Sequence, residues 1–181
     1  MWFAERQAVE ILLSGGVIAH ATEGVFGLAA SAYEKSAFER VAGLKSRTTD
    51  KPFLLIAGDV EQVRALVSLE VRRAPSILAT WPGPTTWVLP AQNGAPGWLC
   101  DADGRIALRI TGHDQARRLC HYAGPLISTS ANPAGERPAL SVAQSRRYFD
   151  ASVDFCLPGQ IISDSGPSAI LDGENGAVLR S

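Results

Sequence analysis

Leu126-Ile127-Ser128-Thr129-Ser130-Ala131-Asn132 starts as a strand and finishes as a hydroxyl-rich loop. Leu126 to Ser128 is a short apolar strand, and Ser128 to Asn132 strings hydroxyls and an amide along a turn. Asp114 to Tyr122 reads as a helix on its N-terminal side. On the other side Ser141 and Gln144 have the spacing of a capping box at the start of the next helix. A strand between helices belongs to a mixed α/β protein, and a polar loop at a strand end is where such proteins commonly place ligands. An ordinary polar turn has the same composition, since Ser, Asn, Gly and Pro dominate turns for local reasons.

Outward from that stretch the alternation continues. Ala4 to Leu13 is a helix with Ala8, Ile11 and Leu12 on one face; Ser14-Gly15-Gly16 stops it before the strand Val17 to His20. Ala21 to Gly27 is a loop, and a short apolar piece leads from it to a second helix over Ser36 to Leu44, with Phe38, Val41 and Ala42 at helical spacing. Phe53 to Ala57 is an apolar run of strand length, and Asp59 with Gln62 opens a helix extending to Val67. Glu70 to Thr80 is read as another helix. Trp81-Pro82-Gly83-Pro84 forms a rigid turn that releases the extended segment Thr85 to Pro90. Ile106 to Ile110 is a strand, and strand-like pieces near Val153 to Cys156, Ala169 to Leu171 and Ala177 to Leu179 close the chain. The sequence contains no repeat, low-complexity tract or dividing linker, so one domain over residues 1–181 is expected.

Formal net charge is −1 with 19% charged residues, so an anion site has to be local, not a global basic field. That weighs against nucleic acid as the main partner. Cys100, Cys120 and Cys156 lack metal or disulfide spacing and suit reduced thiols. No apolar run reaches membrane-spanning length, and Glu5, Arg6 and Glu10 sit where a signal peptide needs apolar residues, so a cytoplasmic protein without membrane contact is expected. His20, His113 and His121 have no ligand spacing and no carboxylate cluster, which assigns no metal site. Dinucleotide, P-loop and serine-elbow glycine motifs are all absent.

The second informative cluster is Lys45-Ser46-Arg47 with Lys51 close behind. Cations just past a helix C-terminus are favoured by the helix dipole in any protein. The alternation Lys, Ser, Arg in a loop also lets a point charge and a planar fork address one site, and phosphate is the natural client of that pair. Both accounts fit the spacing.

Taken in order, Gly15-Gly16, Ala21 to Leu28, Lys45-Ser46-Arg47 with Lys51-Pro52, Trp81 to Thr86, Ala107-Leu108-Arg109 and Ser128 to Asn132 resemble the threonylcarbamoyl-AMP synthase (YrdC-like) family over nearly the whole chain. Pro167 to Ile170 and Arg180 resemble the family's closing segment, and the length resembles its short form. Ala21 stands where the family usually has proline, Gly24 replaces the second threonine of that motif, and Ala169 stands where threonine is common.

The resemblance implies a twisted mixed sheet flanked by helices with a large concave face. It implies ATP, bicarbonate and L-threonine as substrates, with Mg2+ carried on ATP. The products are threonylcarbamoyl-AMP and pyrophosphate, for threonylcarbamoyladenosine at tRNA position 37. By position Lys45 and Arg47 would be the catalytic cations, and with Thr86 they would meet the phosphates, with Lys51 in support. Ser128, Ser130 and Asn132 would line the nucleotide and threonine pocket, and Arg180 would approach the nucleotide. Thr22, Arg109 and Ser168 would hold threonine, with Ser130 beside them and the Arg109 fork on its carboxylate. Lys45 to Lys51 is the candidate lid. The implied partners are the proteins that pass the threonylcarbamoyl group to tRNA. Two rivals share the fold: a double-stranded RNA or tRNA binder without synthase activity, with RNA contact weak at this net charge, and a domain adenylating carbamoyl phosphate in hydrogenase maturation. The second usually sits in longer chains with zinc-binding and acylphosphatase parts.

Overall fold

The computed structural model describes residues 2–48, 52–149, 151–163 and 166–180. Helix α1 (Phe3–Leu13) leads into strands β1 (Ile18–Ala21) and β2 (Phe26–Ser31), then helix α2 (Lys35–Leu44) and strand β3 (Leu54–Ala57). Short helices α3 (Val60–Arg64) and α4 (Ala74–Ala79) separate β3 from β4 (Thr85–Pro90), and a 3-10 turn at Gly97–Leu99 precedes β5 (Arg105–Ile110). Helix α5 (Asp114–Ala123), strand β6 (Leu126–Ser130) and helix α6 (Val142–Phe149) follow, and β7 (Phe155–Cys156), β8 (Ala169–Asp172) and β9 (Val178–Arg180) complete the chain.

Among the described residues the strands form one unclosed sheet of nine, in the order β7-β1-β2-β6-β3-β5-β4-β8-β9. Pairs β1–β7, β3–β5 and β4–β8 are parallel and the others antiparallel, so the sheet is mixed, as expected. Its left end is anchored by the turn after α1. Gly15 takes φ +80, which lets Gly16 N–H donate to Ile11 O at 2.8 Å and Gly15 N–H to Leu12 O at 3.2 Å. These two bonds satisfy carbonyls that the helix end would otherwise leave unpaired.

Alternate strand residues feed two cores. On one face Leu28, Leu55, Leu89, Leu108 and Ile127 pack with Phe38 and Val41 of α2 and Phe149 of α6. On the other, Ile18, Ala29, Ile56 and Leu126 pack under Ala8, Val9 and Leu12 of α1 and Ala116, Leu119 and Cys120 of α5. Arg118 donates two bonds to the buried Glu5 carboxylate, at 2.6 and 3.2 Å, and ties α5 to α1. These two helices cover only one end of their face. Beyond them the same strands present small or polar residues, and that uncovered half becomes the cavity described below.

Several boundaries differ from the sequence reading, each for a tertiary or local reason. β2 begins at Phe26, inside the segment expected as loop, because β1 and β6 offer it antiparallel partners on both sides. β6 runs on through Thr129 and Ser130, which pair with Leu28 and Gly27, so these hydroxyls stand on a strand and not in a loop. The helix expected from Glu70 shrinks to Ala74–Ala79, because Pro75 has no N–H and fits only the first turn. Val67 leaves α3 early to bridge Ala91. Val9 takes the buried place on α1 that Ile11 was expected to fill. Trp81 is a core residue, its indole N–H donating to Thr85 O at 2.8 Å.

Phe38 meets Phe53 edge-on, with centroids 5.5 Å apart, and so joins α2 to the entry of β3. Phe38→Ala should lower unfolding free energy by about 3–5 kcal/mol, as truncation of a fully buried aromatic does. Equilibrium urea unfolding checks this, and a loss under about 1 kcal/mol would mean the α2–β3 contact is not the strut described here.

Candidate active site

A cavity of about 230 Å³ opens on the half of the sheet that α1 and α5 leave bare. Its floor comes from successive strands: Gly27 of β2, Ser128 and Ser130 of β6, Leu54 of β3 and Ala107 of β5. Ser130 pairs with Gly27, and Ser128 lies between Ala29 and Leu54. The hollow exists because these side chains, Leu54 apart, are small; bulky residues at the same register would fill it. Its walls carry Arg47, Arg109 and Arg180 and, among the described residues, no carboxylate. A concave site with three guanidinium groups selects anions, and its low-dielectric walls strengthen that selection.

Arg47 stands at one rim. Its Nη2 donates to Pro52 O at 3.1 Å, and its guanidinium lies over the Phe53 ring, 4.8 Å from the centroid. Lys45 does not line the cavity. Its ammonium donates to Ser130 O at 2.9 Å, Asn132 O at 2.5 Å and Asn132 Oδ1 at 3.0 Å. All three N–H donors are spent on the end of β6 and the turn after it. Asn132 completes that turn by donating to Pro133 O and Glu136 O. Lys45 and Asn132 therefore shape the cavity rim, where Ser130 presents its side chain. Burial, followed by the Arg47 charge, lowers the Lys45 ammonium to about 8. Lys51 lies outside the described residues, as does part of the segment expected to form a lid.

The opposite end is organised by a carboxylate. Glu23 and Arg109 are both buried and pair through Nη2 to Oε2 at 3.0 Å and Nε to Oε1 at 3.4 Å. Thr111 Oγ1 and Gly112 N–H also donate to Glu23 Oε1, at 2.8 and 2.9 Å. Burial pushes the Glu23 carboxyl up, but the Arg109 charge and the bonds from Arg109 and Thr111 outweigh it and hold the group below its ordinary value. One side of the Arg109 fork is thus already filled. Nη1 is the end directed to the cavity, 3.3 Å from Ser168 Oγ. The sequence reading offered the fork to a ligand; the fold brings Glu23 to it from 86 residues away.

Ser168 gathers the rest. Its hydroxyl is 3.0 Å from Thr86 Oγ1, and Arg180 Nη2 donates to its carbonyl at 2.8 Å. Thr86 is fully buried below the cavity, so it positions Ser168 and does not face the hollow itself. Thr22 lines the cavity with its hydroxyl donated to Val25 O at 2.7 Å, closing the turn that carries Glu23. The structure therefore brings Thr22, Arg47, Arg109, Ser128, Ser130, Ser168 and Arg180 around one hollow and sets Lys45, Thr86 and Asn132 immediately behind it.

Glu23 and Gly27 entered the sequence reading only as part of the Ala21 to Leu28 motif, with no role in the site. A lone acid and a lone glycine carry no spacing signal; only the register that places them reveals their use. His113 is structural: its Nδ1 accepts from Ala116 N–H at the start of α5, and its Nε2 faces Gln160 O at 2.8 Å. His20 is fully buried, and burial followed by the nearby His113 pushes its ring down to about 3, so it stays neutral. Among the described residues no group of three or more His, Cys, Asp or Glu could hold a metal ion, and no helix is long and apolar enough to cross a membrane.

A family model for Sua5, YciO and YrdC, described as "Telomere recombination", matches residues 10–181. The threonylcarbamoyl-AMP synthase of Nitrosococcus oceani is 45% identical over 177 residues, covering 97% of this chain and 96% of its own. The threonylcarbamoyl-AMP synthase of Halorhodospira halophila is 43% identical over 180 residues, covering 98% of this chain and 94% of its own. A crystal structure of P. abyssi Sua5 complexed with L-threonine matches with a TM-score of 0.83 at 28% identity, over 93% of this chain and 50% of that one. This chain spans about half the length of that structure. Model, relatives and architecture agree, and the chain belongs to the Sua5/YciO/YrdC family.

Proposed function

We propose that the protein is a threonylcarbamoyl-AMP synthase: it joins L-threonine, bicarbonate and ATP into L-threonylcarbamoyl-AMP and releases pyrophosphate, supplying threonylcarbamoyladenosine synthesis in tRNA. The observation that carries this reading is a single hollow with arginines at both ends and serine hydroxyls across its floor. The names of the full-length relatives support it.

In the assignment we favour, the triphosphate lies toward Arg47 and Arg180, with Ser128 and Ser130 beneath it and Lys45 and Asn132 holding the rim. Lys51 is assigned to the phosphates by its place in the sequence alone. Mg2+ arrives with ATP as part of the substrate, bound mainly through phosphate oxygens and water. Threonine lies toward Thr22, Arg109 and Ser168, its carboxylate meeting the Nη1 end of Arg109 and the Ser168 hydroxyl. Bicarbonate loses its hydroxyl as water with a proton taken from the threonine ammonium, and the freed amine bonds to the carbon dioxide carbon and gives up a second proton, which leaves a carbamate. A carbamate oxygen then attacks the α-phosphorus, the bond to the bridging oxygen breaks, and pyrophosphate leaves with its electron pair. No protein nucleophile is required. The chain's part is to hold the reactants in line and neutralise charge on the leaving phosphates. The product would pass to the proteins that modify tRNA.

The direct test is pyrophosphate release with ATP, bicarbonate and L-threonine, leaving out each in turn. Release should need all three, and release indifferent to threonine would overturn the reading.

Because Lys45 is lowered to about 8, its ammonium is charged at pH 7 and loses its proton as pH rises through that value. The third donor to the β6 turn goes with it. The kcat/KM for ATP, which reports the free enzyme, should therefore decline above about pH 8. Lys45→Arg should remove that decline, and an identical profile in the variant would show that another group titrates.

Glu23→Gln keeps the shape but leaves Arg109 buried without its counter-charge, which should cost about 3–5 kcal/mol of stability. The lowered Glu23 carboxyl contributes stability above the unfolded value of about 4.3, and that contribution is lost as pH falls through the folded value. Urea midpoints measured from pH 3 to 7 should show this acid-side loss in the wild type and a flatter profile in Glu23→Gln. The KM for threonine should rise in the variant with little change in the KM for ATP, and an equal rise in both would place Glu23 outside the threonine end.

A further inference from the structure

Glu23 is held at both ends. Its carboxylate accepts from Thr111 Oγ1 and Gly112 N–H at 2.8 and 2.9 Å, and its main-chain carbonyl accepts from Ile162 N–H and Ser163 N–H, both at 2.9 Å. The first pair of donors lies between β5 and α5, the second in the loop after β7. His113 joins the two. Its N–H donates to Thr111 Oγ1 at 3.2 Å, and its ring Nε2 faces Gln160 O at 2.8 Å. The bonds close a circuit that runs from the Glu23 carboxylate through Thr111 and His113 to Gln160, and by Ile162 and Ser163 back to the Glu23 carbonyl.

The ring hydrogen follows from its partners. Nδ1 accepts from Ala116 N–H at 3.3 Å and so carries no hydrogen; the neutral imidazole then has its hydrogen on Nε2 and donates it to Gln160 O. One nitrogen caps α5 and the other holds the loop. Asn, Asp and Ser are the side chains preferred at a helix start, and none of them extends as far as an imidazole Nε2. The cap alone does not call for histidine; the bond to Gln160 does. His113, Thr111, Glu23 and Arg109 are all buried, so water does not readily replace a bond lost among them.

We infer that His113 is a positioning residue for the threonine end, acting through Glu23 on Arg109. This role rests on the functional reading above, which puts the threonine carboxylate at the Nη1 end of Arg109. Arg109 takes its orientation from the Glu23 carboxylate, through Nε and Nη2. Leu157 N–H to Ala19 O and Gln115 Nε2 to Pro158 O hold the beginning of the loop, while His113 ties the part that runs on to Glu23. Without that tie the Glu23 turn and the Arg109 fork gain room to shift together, and the threonine carboxylate loses alignment. The residues assigned to the phosphates are not members of the circuit.

Two substitutions separate the ring nitrogens. Asn places an acceptor where Nδ1 stands and ends there, so His113→Asn keeps the cap and loses the bond to Gln160. Gln reaches to where Nε2 stands, so His113→Gln keeps a donor for Gln160 and weakens the cap. The test is pyrophosphate release by both variants beside the wild type, with urea unfolding of the same proteins. His113→Asn should raise the KM for threonine about fivefold, the equivalent of one neutral hydrogen bond, with kcat and the KM for ATP within about twofold. His113→Gln should keep the KM for threonine within about twofold of the wild type while its urea midpoint falls. A histidine that serves only as a cap gives the opposite ranking, with the Gln variant the more impaired. That ranking, an unchanged threonine KM in a folded His113→Asn, or KM values for threonine and ATP that rise together would each overturn the inference. Should circular dichroism show that His113→Asn does not fold, Thr111→Val decides, since it breaks the same circuit at the next link. It must raise the KM for threonine selectively, with Thr111→Ser restoring it, and no such rise overturns the inference. Absence of threonine-dependent release in the wild type refutes the functional reading and this role with it. A wild type that turns over threonine beside variants of unaltered KM refutes this role alone.

Discussion

The buried pair of Glu23 and Arg109 is the interaction on which the site depends. Placing two charges out of water costs several kcal/mol per ion, and the cost is offset only where geometry is good and the remaining polar atoms are satisfied. Here Glu23 accepts from Arg109, Thr111 and Gly112, so its oxygens are occupied on every side that matters. The pair locks the Thr22–Val25 turn to β5 and the residues just after it. It also turns Arg109 so that one end of its guanidinium reaches the hollow while the rest is held. An arginine held this way is pre-organised, and a ligand that meets it does not have to order it.

The cavity follows from a mismatch between the sheet and its helices. The nine strands of the described residues make a surface that α1 and α5 cannot cover on one face, and apart from Leu54 and Ile170 the strand residues left uncovered are small or polar. A sheet normally has to bury an apolar face; this one leaves part of it open because glycine, serine and alanine there have little to bury. Charge is then added from the edges: Arg47 from the end of α2, Arg109 from β5 and Arg180 from β9. Residues distant in sequence thus share one field. Net charge of −1 over the chain conceals this local concentration.

Side chains behind the hollow matter as much as those facing it. Lys45 offers no donor to the cavity, yet it holds Ser130 and Asn132 where they stand. Thr86 acts the same way on Ser168. Such support is what keeps a site within the small tolerance that in-line chemistry allows, since a displacement near 1 Å can cost about 10²-fold in rate.

The elements were legible where signals are local. Asp59 caps α3 through Gln62 N–H, Ser141 caps the turn into α6 through Gln144 N–H, and Gly15 ends α1, because caps and helix stops act over a few residues. Proline after Trp81 released β4 at Thr85 for the same reason. The order of motifs likewise pointed to the family and to most of the residues around the hollow. What the chain alone did not reveal was pairing. That β6 continues through Ser130, that Arg109 is met by Glu23 and that His113 reaches Gln160 all depend on segments brought together across long stretches of chain. Local propensity dictates which elements form, because its energies act between near neighbours; register and approach distance, which decide what each functional group can touch, arise only when the sheet is assembled and its two cores are packed.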